Sequence, residues 1–290
     1  SADRLIADAV AQAKDADYVI FVGGLNKSAH QDCEDSDRYG LGLPYGQDKV
    51  IEALAEVSPN LIVVNVSGNA VAMPWVDKVP AVLQAWFIGS EAGHAIADVL
   101  SGDVNPSGKL PFTFPVRIED VPAHIFGEYV GKTSRDTVDV EYKDGIYVGY
   151  RWTDMQKKTR PLFAFGHGLS YTTFEYGEPE LDNTEMLPDG TVTVSVKVTN
   201  TGDRTGRETV QMYVGDRKSS LPRPVKELKG FEKVTLAPGE STTVSFTVDR
   251  DDLGFFDPDR HEWVAEPGKF DIYVAAAADD VKGKVTFELK

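Results

Sequence analysis

Cysteine is almost missing from this sequence: Cys33 is the only one in 290 residues. A single thiol excludes a disulfide within the chain and a metal centre built from several cysteines. Long apolar runs are missing too, and none approaches the ~20 residues that a membrane-spanning helix needs. Positive charge is scarce, with 30 Lys and Arg against 46 Asp and Glu and a formal net charge of −16. Nucleic acid and anionic lipid are held by clustered cations, so neither is an expected partner. Neither a GxGxxG nor a Walker-type GxxxxGKS/T motif occurs, so Gly23–Gly24 reads as a turn rather than a phosphate cradle. The opening "SADRLIADAVAQAK" has no basic end and no unbroken apolar stretch, and is not read as a secretion signal.

What is present is an ordinary globular composition, 41% apolar and 26% charged, in a chain long enough for two domains. The first ~115 residues alternate helix and strand patterns. "RLIADAVAQAK" puts Leu5, Ile6, Ala9, Val10 and Ala13 on one helical face. "DYVIFVGG" is a continuously apolar strand expected to be buried on both faces. "QDKVIEALAEV" spaces Val50, Ile51, Leu54 and Val57 as a helix does, "NLIVVNVSGN" and "AVLQAW" are further strands, and "EAGHAIADVLSG" is a helix stopped by Gly102. This order predicts right-handed crossovers and a mainly parallel sheet, with ligands at the loops leaving the carboxyl ends of the strands.

The last ~110 residues follow a period of two. "TVTVSVKVTN" buries Val192, Val194, Val196 and Val198 together, and "ETVQMYVGD", "STTVSFTVD" and "KFDIYVAAA" repeat the alternation between turn-rich segments. Short strands so spaced predict an antiparallel sandwich of immunoglobulin-like size. The aromatics Tyr213, Phe246, Phe270 and Tyr273 sit at core positions rather than in an exposed row. The expected division is an α/β domain over residues 1–116, an ordered aromatic connector over 117–178, and the all-β sandwich over 179–290.

Between the first strand and the next helix lies "HQDCEDSDRYGLGLP", where Asp32, Glu34, Asp35 and Asp37 crowd together with only Arg38 to offset them. By charge alone such a run reads as a solvated loop. Its place at a strand's carboxyl end is where a site is expected, and crowding raises carboxyl pKa values as a general acid requires. Cys33, three residues from His30, reads as a passive thiol. Trp75 and Trp86 suit either a stacking wall for a flat ligand or the core. His94, His167 and Arg151 read as structural.

The segments "GSEAGHAIADVLSGDVNPSGKLPFTFP", "GIYVGYRW", "PLFAFGHGLSYTTFEY", "NTGDRTGRETVQMYV" and "LKGFEKVTLAPGES" resemble glycoside hydrolase family 3, chiefly its β-glucosidases. The resemblance runs over essentially the whole chain in the family's order. It implies an α/β sandwich followed by a fibronectin type III-like domain, which the family normally precedes with a (β/α)8 barrel. That barrel carries the nucleophilic aspartate in a Ser-Asp-Trp context, a triplet absent from these residues. The chain is therefore expected to be a carboxy-terminal part lacking the first strand of its α/β domain, inactive alone, with the barrel part as its partner and a glycoside as substrate.

In the family, the acid/base comes from a loop written E-G-x-D-R, then L-x-L-P and Gln. Here "EDSDRYGLGLPYGQ" aligns Glu34 with the motif glutamate and Asp37–Arg38 with its Asp-Arg pair. Leu41, Leu43, Pro44 and Gln47 match the remainder, and Asp35 departs from the usual glycine. The resemblance implies Glu34 as acid/base with Asp32 as its rival, Asp37 and Arg38 as a structural pair, and His30 and Gln31 lining the sugar subsite. The mechanism needs no metal or cofactor. The alternatives are a β-xylosidase of the same architecture and a non-catalytic carbohydrate-binding or scaffold module. The expected location is periplasmic or secreted.

Overall fold

The computed structural model describes residues 2–34, 36–126, 132–134, 137–156 and 159–290. Asp35 and part of the expected connector lie outside them. The chain divides into two compact units, Ser1–Asp103 with Phe114–Asp120, and Val104–Thr113 with Val121–Lys290.

The first unit runs helix α1 (Ala2–Ala13), strand β1 (Val19–Gly24), α2 (Gln47–Ala55), β2 (Leu61–Val66), β3 (Ala81–Gln84) and α3 (Ala92–Ser101). The strands form a three-stranded sheet in the order β1-β2-β3, parallel throughout. Helix α2 buries Ile51 and Leu54, and α3 ends as its sequence predicts, at Gly102 in the left-handed region (φ 83°). β2 is the apolar centre, with Leu61, Val63, Val64 and even Asn65 out of water. Asn65 is tolerated there because its side-chain amide donates to Ser67 Oγ and Gln84 Oε1.

Two expectations change. β1 is the sheet's edge and is not buried on both faces: Tyr18 before it and Ile20 and Val22 within it are 50% or more exposed. An apolar run reports the tendency to be covered, and cannot report whether a cover is present. The apolar stripe of α1 is only partly covered, with Leu5 exposed, Ile6, Ala9 and Val10 half-buried and Ala13 buried.

The second unit adds a short helix α4 (Pro122–Ile125), the hairpin strands β4 (Lys132–Ser134) and β5 (Thr137–Asp139), and helix α5 (Tyr150–Thr153). Short strands β6 (Phe174–Tyr176), β7 (Glu180–Leu181) and β8 (Glu185–Met186) lead to the long strands β9 (Val192–Asn200), β10 (Gly206–Asp216), β11 (Glu227–Leu236) and β12 (Ser241–Val248). Helix α6 (Arg250–Leu253), β13 (Phe255–Asp257), β14 (Glu262–Val264), β15 (Gly268–Ala277) and β16 (Asp280–Leu289) complete it. One sheet has the order β11-β10-β15-β16-β8, and the other β12-β9-β6 with β7 also on β9. The long strands pair antiparallel.

The period-two reading holds residue by residue. Val192, Val194, Val196 and Val198 are buried against Val210, Met212, Phe270, Ile272 and Phe287. The segment before the sandwich is stitched to it: Tyr150, Ala164 and Phe165 pack on Tyr213 and Ala275. Lys109 Nζ donates to the Gly168 carbonyl and pairs with the buried Glu208, which also accepts from Tyr176. Arg151, expected to be architectural, pairs with Glu227 at 3.0 Å.

Candidate active-site loop

The acidic loop leaves β1 through Gly24 (φ 136°), whose missing side chain matters: a Cβ there would stand 2.0 Å from the Val66 carbonyl oxygen. The Gln47 carboxamide closes the loop at its other end. Its Oε1 accepts from Gly24 N at 2.8 Å, and its Nε2 donates to the carbonyls of Gly24 and Pro44. Asp48 fixes the same end, accepting from Leu43 N and from the indole of Trp75. Trp75 is fully buried, so it is core and not a stacking wall. Trp86 is half-buried, sits edge-on to Phe114 and has φ 58°.

Within the loop, most polar side chains are spent on holding its shape. Gln31 is buried, accepting from Asn26 N and donating to the Tyr45 hydroxyl. His30 adopts φ 62° and stacks on Tyr39 with ring centroids 4.2 Å apart. Its Nδ1 lies 2.9 Å from the Asp37 carbonyl, which can only accept, so the proton is assigned to Nδ1 and the Tyr39 hydroxyl donates to Nε2. His30 N donates to Ser36 Oγ. Both residues expected at a sugar subsite are thus engaged by the loop itself. Cys33 is half-buried, with Sγ 3.8 Å from the Ser36 carbonyl.

The carboxylates separate clearly. Asp32 accepts from Gly68 N at 2.6 Å and from Asn69 Nδ2 at 3.2 Å, tying the loop to the end of β2. Arg38 reaches across to the Ala70 carbonyl at 2.6 Å, while the neighbouring Asp37 carbonyl serves His30. Glu34 is exposed in the turn between these anchors, and no hydrogen bond or ion pair to a described residue is found for its carboxylate. The Asp37 carboxylate is exposed in the same way, with only its backbone carbonyl engaged, so a loop fastened at both sides presents Glu34 and Asp37 as its described carboxylates open to something outside it. Sequence reasoning missed Asp48, Gly68, Asn69 and Tyr39 as parts of this arrangement. Only the first-turn position of Asp48 on α2 carried a local signal.

Elsewhere, His94 hydrogen-bonds Glu91 on α3. His167 stacks on Phe163, and burial pushes its imidazole below the ordinary histidine range. Among the described residues no group of three or more His, Cys, Asp or Glu is placed to hold a metal ion.

The family model for the Glycosyl hydrolase family 3 C-terminal domain matches residues 2–171, and that for a Fibronectin type III-like domain matches 208–278. The chain belongs to glycoside hydrolase family 3. It is 55% identical to beta-glucosidase BoGH3A of Bacteroides ovatus, over 99% of this chain and 38% of that protein. Thermostable beta-glucosidase B of Acetivibrio thermocellus is 44% identical over 96% of this chain and 36% of its own length. Among solved structures, the beta-glucosidase from Kluyveromyces marxianus superposes with a TM-score of 0.90 at 38% identity, over 99% of this chain and 34% of that one. The chain thus spans little more than a third of the curated relatives it matches.

Proposed function

We propose that this chain supplies the acid/base half of a retaining, exo-acting β-glycosidase, a β-glucosidase by substrate. On this reading Glu34 is the acid/base, and a (β/α)8 barrel outside these residues supplies the nucleophile. The observation that supports it best is the contrast between the two rival carboxylates: Asp32 is committed to Gly68 and Asn69, whereas Glu34 is exposed, with no partner among the described residues, between anchored flanks. The names of the relatives favour glucose as the sugar.

The chemistry then runs in two steps. The Glu34 carboxylic acid gives its proton to the glycosidic oxygen as that bond to the anomeric carbon breaks and the barrel carboxylate bonds to it. The resulting Glu34 carboxylate takes a proton from water, whose oxygen displaces the barrel carboxylate and restores both groups. A retaining pair of this kind works at a separation of about 5–5.5 Å. Loop rigidity serves that distance, because a misplaced acid loses most of its benefit.

A barrel partner also gives the open apolar surfaces a use. Tyr18, Ile20 and Val22 on the first unit, and Tyr142, Val148 and Leu169 on the second, are exposed. Contacts between domains of one protein typically bury about 600–1,500 Å². The test is to purify the chain with and without the matching barrel part. Alone it should not hydrolyse an aryl β-glucoside; joined, it should. In the joined enzyme, Glu34→Ala should accept azide as a substitute nucleophile and release β-glycosyl azide. Azide rescue by Asp32→Ala instead would move the assignment to Asp32, and turnover by the isolated chain would overturn the division of labour.

A further inference from the structure

The second unit carries an aromatic cluster that the chemistry above does not use. β13 and β14 form a two-stranded hairpin in which Phe256 and Trp263 are directly paired. Trp263 is 74% exposed and Phe256 44%. Their rings meet edge-on with centroids 6.0 Å apart, and Phe256 meets His261 in the same way at 5.5 Å. Large aromatics are normally a sandwich's core material, as Phe270 and Phe287 are here. An indole held in water on a short ribbon is the informative exception.

The hairpin's turn is fixed by its own polar groups. Asp257 Oδ1 accepts from the backbone N–H groups of Asp259 and Arg260, and the Asp257 carbonyl accepts from His261 N. His261 takes φ 60°, a conformation that a non-glycine residue keeps only where its surroundings impose it. Arg260 bridges Asp257 and Glu262, keeping a guanidinium and a carboxylate side by side next to Trp263 in sequence.

The charge around the rings narrows the ligand. On and beside the hairpin, Asp257, Asp259, Glu262 and Glu266 face Arg260, Arg250 on the Ala265 carbonyl, and Arg223 over Phe255, the last already paired with Asp216 and Glu227, so the balance stays acidic. That field repels anions, including acidic sugars and nucleic acid. It favours a neutral ligand rich in hydroxyl donors. A β-linked glucopyranose carries its substituents equatorially, leaving C–H groups on both flat faces to lie on an indole, with hydroxyls around the edge for Glu262 and Arg260.

We propose that the β13–β14 hairpin is a second, non-catalytic binding site for neutral β-linked glucan chains, with the exposed Trp263 indole as the stacking face, Phe256 set edge-on against it, and Arg260 and Glu262 as hydrogen-bonding groups. The choice of glucose over another neutral sugar rests on the β-glucosidase reading; the platform itself does not. The experiment is native electrophoresis of the whole chain through gels containing soluble mixed-linkage β-glucan, with mannan and polysaccharide-free gels alongside.

Retardation by β-glucan should weaken roughly three- to tenfold in Trp263→Ala, the range expected for loss of one aromatic stack. Trp263→Phe, which keeps a ring and guards against a folding artefact, should fall between, and Glu262→Ala should weaken binding without touching the rings. Equal retardation of wild type and Trp263→Ala would overturn the proposal, as would no retardation by β-glucan or retardation by mannan alone. Loss of acrylamide access to Trp263 on joining the barrel part would also overturn it, by making the cluster an internal contact. In the joined enzyme, Trp263→Ala should hydrolyse a small aryl β-glucoside at the wild-type rate, so failure here and failure of the catalytic reading are told apart.

Discussion

The sandwich and the three-stranded sheet use similar amino acids to opposite effect. On β9 every second residue from Val192 to Val198 is a valine buried against the facing sheet, and Phe270, Ile272 and Phe287 close the layer from the other side. On β1 the same alternation leaves Ile20 and Val22 in water, and α3, the most apolar of the long helices, has no buried residue. The sandwich is satisfied by its own chain. The sheet reads as one part of a larger packing problem, which the barrel of the proposed reading would complete. Where catalysis is shared with another domain, a self-contained module can supply stability while its neighbour keeps surface and loop free for the partner.

The widest contrast should come from one substitution in each region. In the joined enzyme, Glu34→Ala should cut turnover of a poor-leaving-group glucoside by about 10²–10⁴-fold, the value of general acid–base assistance. The midpoint of thermal unfolding should stay at its wild-type value, since the exposed Glu34 carboxylate has no partner among the described residues. Phe270→Ala should do the reverse, destabilising the second unit by about 3–5 kcal/mol in denaturant unfolding, with the rate per folded molecule unchanged. If Glu34→Ala unfolds the chain or Phe270→Ala alters the chemistry, the separation of roles fails.

A smaller effect should mark the sandwich by its pH dependence. Burial pushes the Asp271 carboxyl up, but hydrogen bonds from Arg217 and Thr286 and the charge of Lys284 outweigh this and hold it below the ordinary aspartate value. A carboxyl depressed on folding stabilises fully above its unfolded pKa of about 3.9 and loses that contribution as pH falls through the lower folded value. Unfolding midpoints measured down through that window should therefore drop more steeply in wild type than in Asp271→Asn. Parallel profiles would show that the cluster contributes nothing on balance.

The smallest effect is expected on the open face. Ile20→Ser with Val22→Ser should change the stability of the isolated chain by no more than about 0.5 kcal/mol, as exposed positions do. Yet the pair should weaken assembly with the barrel part in a titration of regained activity. A large loss of stability in the isolated chain would mean that the face is covered after all, and the comparison with the sandwich would lose its basis.

Much of this was legible in the residues. Alternation in "TVTVSVKVTN" fixed which valines face inward, because successive strand side chains point to opposite sides whatever lies beyond them. Gly102 marked the end of α3, since glycine enters the left-handed region without strain. The E-D-S-D-R spacing, through its family resemblance, singled out Glu34. These are local properties, set by a residue and its near neighbours. The division of labour among the loop's polar groups was not local: Asp32 finds its partners at Gly68 and Asn69, more than thirty residues away, and Arg38 finds Ala70. Whether Trp75 was wall or core depended on Asp48, and whether β1 was covered depended on its place at the edge of the sheet. The sequence by itself determined the period of each element, the turns between them and the chemical types offered at the loop. Only the tertiary structure decided that Asp32 was the committed carboxylate and which apolar face stayed open, because both depend on what distant segments bring within hydrogen-bond or van der Waals reach.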